Sequence, residues 1–459
     1  MSVTMSKAMV KAAVQGLSMV VARKPVRAVF GCVRITAQEG RVKMLATDLE
    51  QWVEYRNDGV ETVGENDFLF GLAELKELLK LPGDGKLKFE SGSGQVTVKI
   101  GELTKEYADP GVKEFPETPM VDTSPLAVGT EFFQKLRLAA PMTSKDKVNP
   151  TTNCISIRDG QIAATNRREL MVLNYELGID RPILLPIPKI LSLLEGAGTI
   201  TVKDEQVEMQ SGMWRTVIRQ APGTFPRYEQ IVPKPSTLIT QFTLSDQDRA
   251  TLLNTLGKLK INDPHEPVVL YGGTDGLFAV AGLTNPTMIK LADSRFQAEK
   301  PGQTLFYTLS KGYLLDVLRS GFTLLRSADG LVLVAQDGPH AGYLIVMSLS
   351  ARFKADEIRQ VIEKSIPHHE SQPEDKTMVP SEAKPTTDFK VVEPAASTDA
   401  FANLNASLDK LHVALYTLNT CVNDVCRQVR ETQRNVKQRD RSFKELQATI
   451  DKFKKVANF

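Results

Sequence analysis

The chain has 459 residues, 42 % of them apolar and 24 % charged. These are the proportions of a globular protein, with room for about three or four domains. Lys and Arg number 57 against 55 Asp and Glu, a net charge of +2. That balance excludes a protein that coats a polyanion over its whole surface and leaves nucleic acid to local basic patches. Cys32, Cys154, Cys421 and Cys426 are too few and too scattered for a disulfide framework, and they lack zinc-ligand spacing. They are expected to be reduced thiols of a cytoplasmic protein. The apolar-leaning run 12–22 is interrupted by Gln15 and flanked by Lys11 and Arg23. It fits neither a membrane span nor a signal peptide.

In chain order, Val10, Val14, Leu17 and Val21 share one face of a first helix. Residues 32–48 then alternate apolar and polar around a Gly-containing turn, a hairpin pattern. Residues 68–80 read as a short strand entering a helix of about ten residues. Gly92 and Gly94 lie between strand patterns with no helix after them, so they mark a hairpin turn and not a phosphate loop. The same order then returns. Phe132, Phe133, Leu136 and Leu138 form a helix face, 154–166 a hairpin, and 183–195 a strand and helix, with strands expected at 199–209 and 214–219. It returns a third time with Leu252, Leu253 and Leu256, then 268–281, then 305–319. The hairpins start about 120 residues apart, so the architecture is a threefold repeat, each unit holding a half-repeat.

From 354 to 400 the chain is polar, acidic and rich in proline, the composition of a flexible linker. Residues 401–457 then carry apolar residues in alternating steps of three and four, from Leu404 to Phe453, with Thr432 and Arg439 the polar exceptions. This 3.5-residue period over about seven heptads is a coiled coil of roughly 75 Å, and Val422, Val429 and Val436 at a positions favour two strands. Its basic second half reads as a solvated face.

The three units resemble the bacterial sliding clamp, the β subunit of DNA polymerase III. The resemblance rests on Ala46-Thr47-Asp48-Leu49-Glu50, on Phe225-Pro226-Arg227-Tyr228-Glu229 before Ile231-Val232-Pro233-Lys234, on Gly312-Tyr313-Leu314-Leu315-Asp316-Val317-Leu318, and on the closing strand 343–349. It implies an α+β fold of three tandem clamp-type domains, each with two helices packed on curved antiparallel sheet. Their expected bounds are 1–121, 122–234 and 235–353, followed by the linker 354–400 and the coil 401–457. It further implies a non-enzymatic processivity factor without cofactor or metal. Such a factor closes as a homodimeric ring around duplex DNA, irrespective of sequence, and tethers the replicative polymerase and the clamp loader.

A ring lining attracts phosphates by charge alone. The resemblance puts the helices inside, which assigns DNA contact to Lys7, Lys11, Arg23 and Lys24 in the first unit, with Lys76 and Lys80 from its second helix. In the second unit it assigns Lys135, Arg137, Lys145, Lys147 and Lys189, and in the third Arg249, Lys258, Lys260, Lys311 and Arg319. The resemblance also implies a pocket for partner peptides at Thr152, Thr165, Leu170, Pro233, Ile345, Met347 and Leu349. Where the family commonly has Ala-Thr-Asp-Gly-His-Arg-Leu, this chain has Ala164-Thr165-Asn166-Arg167-Arg168-Glu169-Leu170, which points to an altered peptide motif. Asp48 reads as a turn cap. No nucleotide-binding, metalloprotease or serine-nucleophile motif is present. A different reading is a scaffold of clamp fold that joins partners through the coil without encircling DNA.

Overall fold

The computed structural model describes residues 1–22, 24–82, 85–146, 149–238, 240–259, 267–273, 276–282, 286–298, 305–327, 332–347, 349 and 360. The expected coil, the expected linker apart from Gln360, and Arg23, Lys147 and Lys260 lie outside them. The fold described is that of the unit Met1–Glu370.

One pattern occurs six times among the described residues: a leading strand, a helical turn or helix, then three antiparallel strands. The helices are α1 (Lys7–Leu17), α2 (Leu72–Leu78), α3 (Thr130–Ala139), α4 (Asp246–Lys258) and α5 (Lys311–Ser320). Local chemistry sets their ends. The Ser6 and Ser245 hydroxyls accept from the backbone N–H groups of Met9 and Asp248, capping α1 and α4. Gly321 closes α5 in the left-handed conformation at φ 79°. Between leading strand and strands of the second unit's second half, a helix of about ten residues was expected; the structure has a 3-10 turn, Leu191–Leu193. Pro186 and Pro188 bias the residues before them away from helical backbone, and Gly196 turns the chain at φ 80°, so only one turn fits. The strand expected at 199–209 is likewise two strands, Gly198–Lys203 and Gln206–Ser211, with Asp204 in the turn at φ 48°.

Within each unit the two halves exchange leading strands. Ser2–Ser6 pairs with Lys86–Gly92, and Asn66–Gly71 with Cys32–Gln38. The second and third units repeat this exchange. Between units a second rule holds. The last strand of one unit's first half pairs antiparallel with the last strand of the next unit's second half. Gln51–Asp58 so pairs with Trp214–Arg219, and Glu169–Asn174 with Gly342–Met347. The results are an eight-stranded and a nine-stranded sheet, each crossing a unit boundary. The remaining five-stranded and four-stranded sheets belong to the first and third units alone. Each of these ends on the strand that the rule leaves without a counterpart, Leu103–Ala108 and Thr287–Lys290.

Side chains alternate across the strands, so each sheet feeds two apolar layers. In Glu169–Asn174, Met171 and Leu173 enter the main core, while Leu170 and Val172 enter a smaller cluster with Phe225, Tyr228 and Ile345. Gly16 sits inside α1 at a cost of about 1 kcal/mol relative to Ala. A Cβ there would overlap the Trp214 ring, which stands edge-on to Tyr55 at 5.0 Å. Cys32 and Cys154 are free and buried, and burial pushes both thiols up to about 11, which leaves them unreactive at neutral pH.

Candidate functional site

Two loops with the same hydrogen bonding recur at the unit junctions. In the first unit Thr47 Oγ1 donates to the Gln51 carbonyl at 2.9 Å and accepts from the Leu49 N–H at 2.9 Å. Asp48 Oδ1 accepts from the N–H groups of Glu50 at 3.2 Å and Gln51 at 2.8 Å, the turn-capping role expected of it. In the second unit Thr165 and Asn166 do the same. Thr165 Oγ1 donates to the Glu169 carbonyl at 2.6 Å and accepts from Arg167, and Asn166 Oδ1 accepts from Arg168 and Glu169. Leu49 and Arg167 both take left-handed backbone, φ 74° and 73°.

The twin loops differ in their last residue. Gln51 is buried and paired at both ends of its amide: Nε2 donates to the Ile187 carbonyl at 3.0 Å, and Oε1 accepts from the Lys189 N–H at 2.9 Å. Glu169, 3 % exposed, stands at the corresponding place. Its Oε2 accepts from Asn166 Nδ2 at 2.8 Å, while Oε1 is buried with no hydrogen-bond partner. Burial, with the Asp316 carboxylate of α5 adding to it, pushes the carboxyl up to about 7. The folded state therefore holds a proton that the unfolded chain releases near pH 4.5. Stability from this group is complete below about pH 4.5 and falls as pH rises to about 7, in total by about 3 kcal/mol. Glu169→Gln is expected to raise the melting temperature at pH 8 and to leave it nearly unchanged at pH 4.5, as measured by thermal unfolding at the two pH values.

Beside this loop lies a cleft of about 530 Å³. Tyr313 of α5, Met347 and Leu349 supply its apolar lining; Ser144, Asp146, Asn166, Arg167 and Arg168 supply its polar lip. Met347 is 50 % exposed and Leu349 8 %. Of the other expected pocket residues, Leu170 and Ile345 are register partners inside the smaller apolar cluster. Thr165 anchors the loop, and buried Thr152 accepts the Ser144 N–H at its carbonyl, 2.8 Å. Pro233 is half-buried and follows Val232, which packs on the same cluster. Ser144, Asp146 and Tyr313 were not among the expected pocket residues. Tyr313 stands in the Gly312-Tyr313-Leu314 text, and burial raises its hydroxyl pKa while Arg168 beside it lowers it.

The expected DNA-contacting cations separate by what their charged ends meet. Lys135 and Lys311 are buried, 2 % and 5 % exposed, which corrects their assignment to a phosphate-facing surface. The Lys135 Nζ donates to the Asn174 carbonyl at 2.5 Å and pairs with Glu131, and the Lys311 Nζ donates to the Leu259 carbonyl at 2.6 Å. Half-buried Lys7 donates to the Leu81 carbonyl at 2.7 Å, and Arg137 to the Leu194 carbonyl at 2.7 Å. Lys189, Arg249 and Arg319 pair with Asp48, Asp246 and Asp316. Lys11, Lys24, Lys76, Lys80, Lys145 and Lys258 are exposed, and no ion pair among the described residues engages them.

No family model matches the chain, and no curated protein matches it. Solved structures do. The DNA polymerase sliding clamp of Bacillus subtilis superposes with a TM-score of 0.66 at 14 % identity, over 76 % of this chain and 99 % of that one. The Helicobacter pylori β clamp bound to a DNA ligase peptide gives 0.66 at 14 %, over 76 % and 100 %. The Caulobacter crescentus β sliding clamp gives 0.64 at 18 %, over 76 % and 98 %. Identity this low speaks to fold, and each of these clamps is matched over nearly its whole length. The strand-exchanged repeats and the sheets that cross unit boundaries are thus the fold of the bacterial DNA polymerase III β sliding clamps.

Proposed function

We propose that the protein is a DNA sliding clamp: a non-enzymatic processivity factor that closes with a second copy into a ring around duplex DNA. The observation that carries this reading is the pairing rule between units. Extended by one step, it joins Thr287–Lys290 of one copy to Leu103–Ala108 of another, since these are the two last strands that lack a counterpart. Two copies joined head to tail use every such edge and close without leaving one over. We divide the first 353 residues into three domains at about 121 and 234, a division supported by the sixfold strand pattern.

Around DNA such a ring needs phosphate attraction without base readout. The exposed lysines 11, 24, 76, 80, 145 and 258 are the groups we assign to it. We assign the cleft as the docking site for the replicative polymerase and the clamp loader; that the Helicobacter pylori clamp binds a DNA ligase peptide supports peptide docking by a protein of this fold. The heptad pattern of 401–457 suits self-association of the tail. We place its work on DNA in the cytoplasm; no described helix is long and apolar enough to cross a membrane.

One observation favours the scaffold reading instead. The exposed residues of α3 are Thr130, Glu131 and Gln134, with no cation among them, a poor surface for phosphates. Retention on closed circular DNA, with release from linear ends, tests the ring, because only a topological link depends on free ends.

A further inference from the structure

We propose that the cleft at Met347 selects peptides in which an apolar anchor is flanked by carboxylates, bound by Arg167 and Arg168. The inference rests on the reading of the cleft as a peptide-docking site and names the chemistry of what docks there.

Three features support it. First, the apolar part is small: the Tyr313 ring, half-exposed Met347 and mostly buried Leu349. That is room for one or two anchor side chains, and the thioether of Met347 adapts to their shape. Second, the adjoining lip is basic. Arg167 and Arg168 are both exposed, and no carboxylate among the described residues lies in ion-pair range of either. Asp146 is the acidic member of the lip, and Lys145 beside it is exposed. Third, the loop backbone that carries the two guanidinium groups is held in place. The Arg167 N–H donates to Thr165 Oγ1 at 3.0 Å and the Arg168 N–H to Asn166 Oδ1 at 2.9 Å. The Arg168 guanidinium lies close enough to the Tyr313 hydroxyl to lower its pKa against the effect of burial. Guanidinium groups on an anchored loop beside an apolar pocket suit planar carboxylates, which they bind in a bidentate fork. Nucleic acid would use the same charges but would leave Met347 and Leu349 without a partner.

The test is fluorescence anisotropy of the full chain with two labelled nonapeptides. Both carry the same pair of apolar anchor residues, Leu and Phe; one has four flanking Asp and Glu residues, and the other has Asn and Gln in their place. The acidic peptide is expected to bind about tenfold more tightly at low salt, with the difference shrinking as salt is raised. In R167E/R168E the preference should reverse toward a peptide with Lys at the flanks, with thermal melting of the variant as the check on folding. Equal affinity of the two peptides for the unaltered chain overturns the inference. So does an acid preference that survives R167E/R168E, or a loss in that variant confined to binding of a DNA duplex. If neither peptide binds while the protein stays on circular DNA, the inference fails and the ring stands. If the acidic preference holds while DNA is not encircled, the inference stands on the scaffold.

Discussion

On nicked circular DNA at 200 mM salt the protein is expected to stay bound through gel filtration, and to be lost when one cut linearises the DNA. The reason is physical. Binding by phosphate contacts alone falls by about 10³-fold or more between 50 and 200 mM salt when six or more contacts are made. A closed ring does not depend on those contacts to remain, because leaving requires an end. Contacts from the exposed lysines assigned to DNA weaken steeply over that range of salt, so a difference between circular and linear DNA there reads topology. Loss from both forms of DNA at equal rates would favour the scaffold. Loading has to be supplied, either by a clamp loader or by mixing at a concentration where rings open and close.

Proline in the strand Leu103–Ala108 is expected to separate the two copies. This strand is the edge of its sheet and is exposed along nearly its whole length. Successive backbone N–H groups point to opposite sides of a strand. Of Lys105→Pro and Glu106→Pro, one therefore removes a donor toward Gln95–Ile100 and the other a donor toward the open edge. Proline is tolerated in the second case because no internal bond is lost. That variant should keep its melting temperature within a few degrees, while ring closure weakens by about 100-fold, the equivalent of two to three net backbone hydrogen bonds. Its retention on circular DNA should fall to that on linear DNA. A variant that melts normally and is still retained would show that the edge is not the closing surface.

Much of this organisation was legible in the sequence, and the parts that were not share a cause. The three units were visible because hairpins and amphipathic helices leave local periods. Their turns fall where expected, with Glu39-Gly40 and Asp159-Gly160 both at positive φ. The pairing of Gln51–Asp58 with Trp214–Arg219 leaves no local mark, since its partners lie more than 150 residues apart. That pairing rule came only from the structure, yet the proposal of a ring rests on it. The cleft was half legible. The Thr165 loop announced itself as a departure from the family's text, but Ser144 and Asp146 reach the lip through the fold. Two lysines were misplaced despite a usable signal. Lys135 lies three residues after Phe132 and four before Ala139, and Lys311 three and four before Leu314 and Leu315. Both belong to the buried stripe of their helices. Each side chain belongs to that apolar stripe and delivers its ammonium to a backbone carbonyl at the end of another element, Asn174 of a strand and Leu259 after α4.

The most direct test of the account is the mass in solution of a chain ending at Glu370, the boundary of the compact unit. Sedimentation at micromolar concentration is predicted to give twice the mass of one chain, because the strands Leu103–Ala108 and Thr287–Lys290 complete each other's sheets without help from the tail. A single-chain mass at the same concentration, with the full chain still associating, would contradict it: the coil would then assemble the particle, and the sheet edges would not.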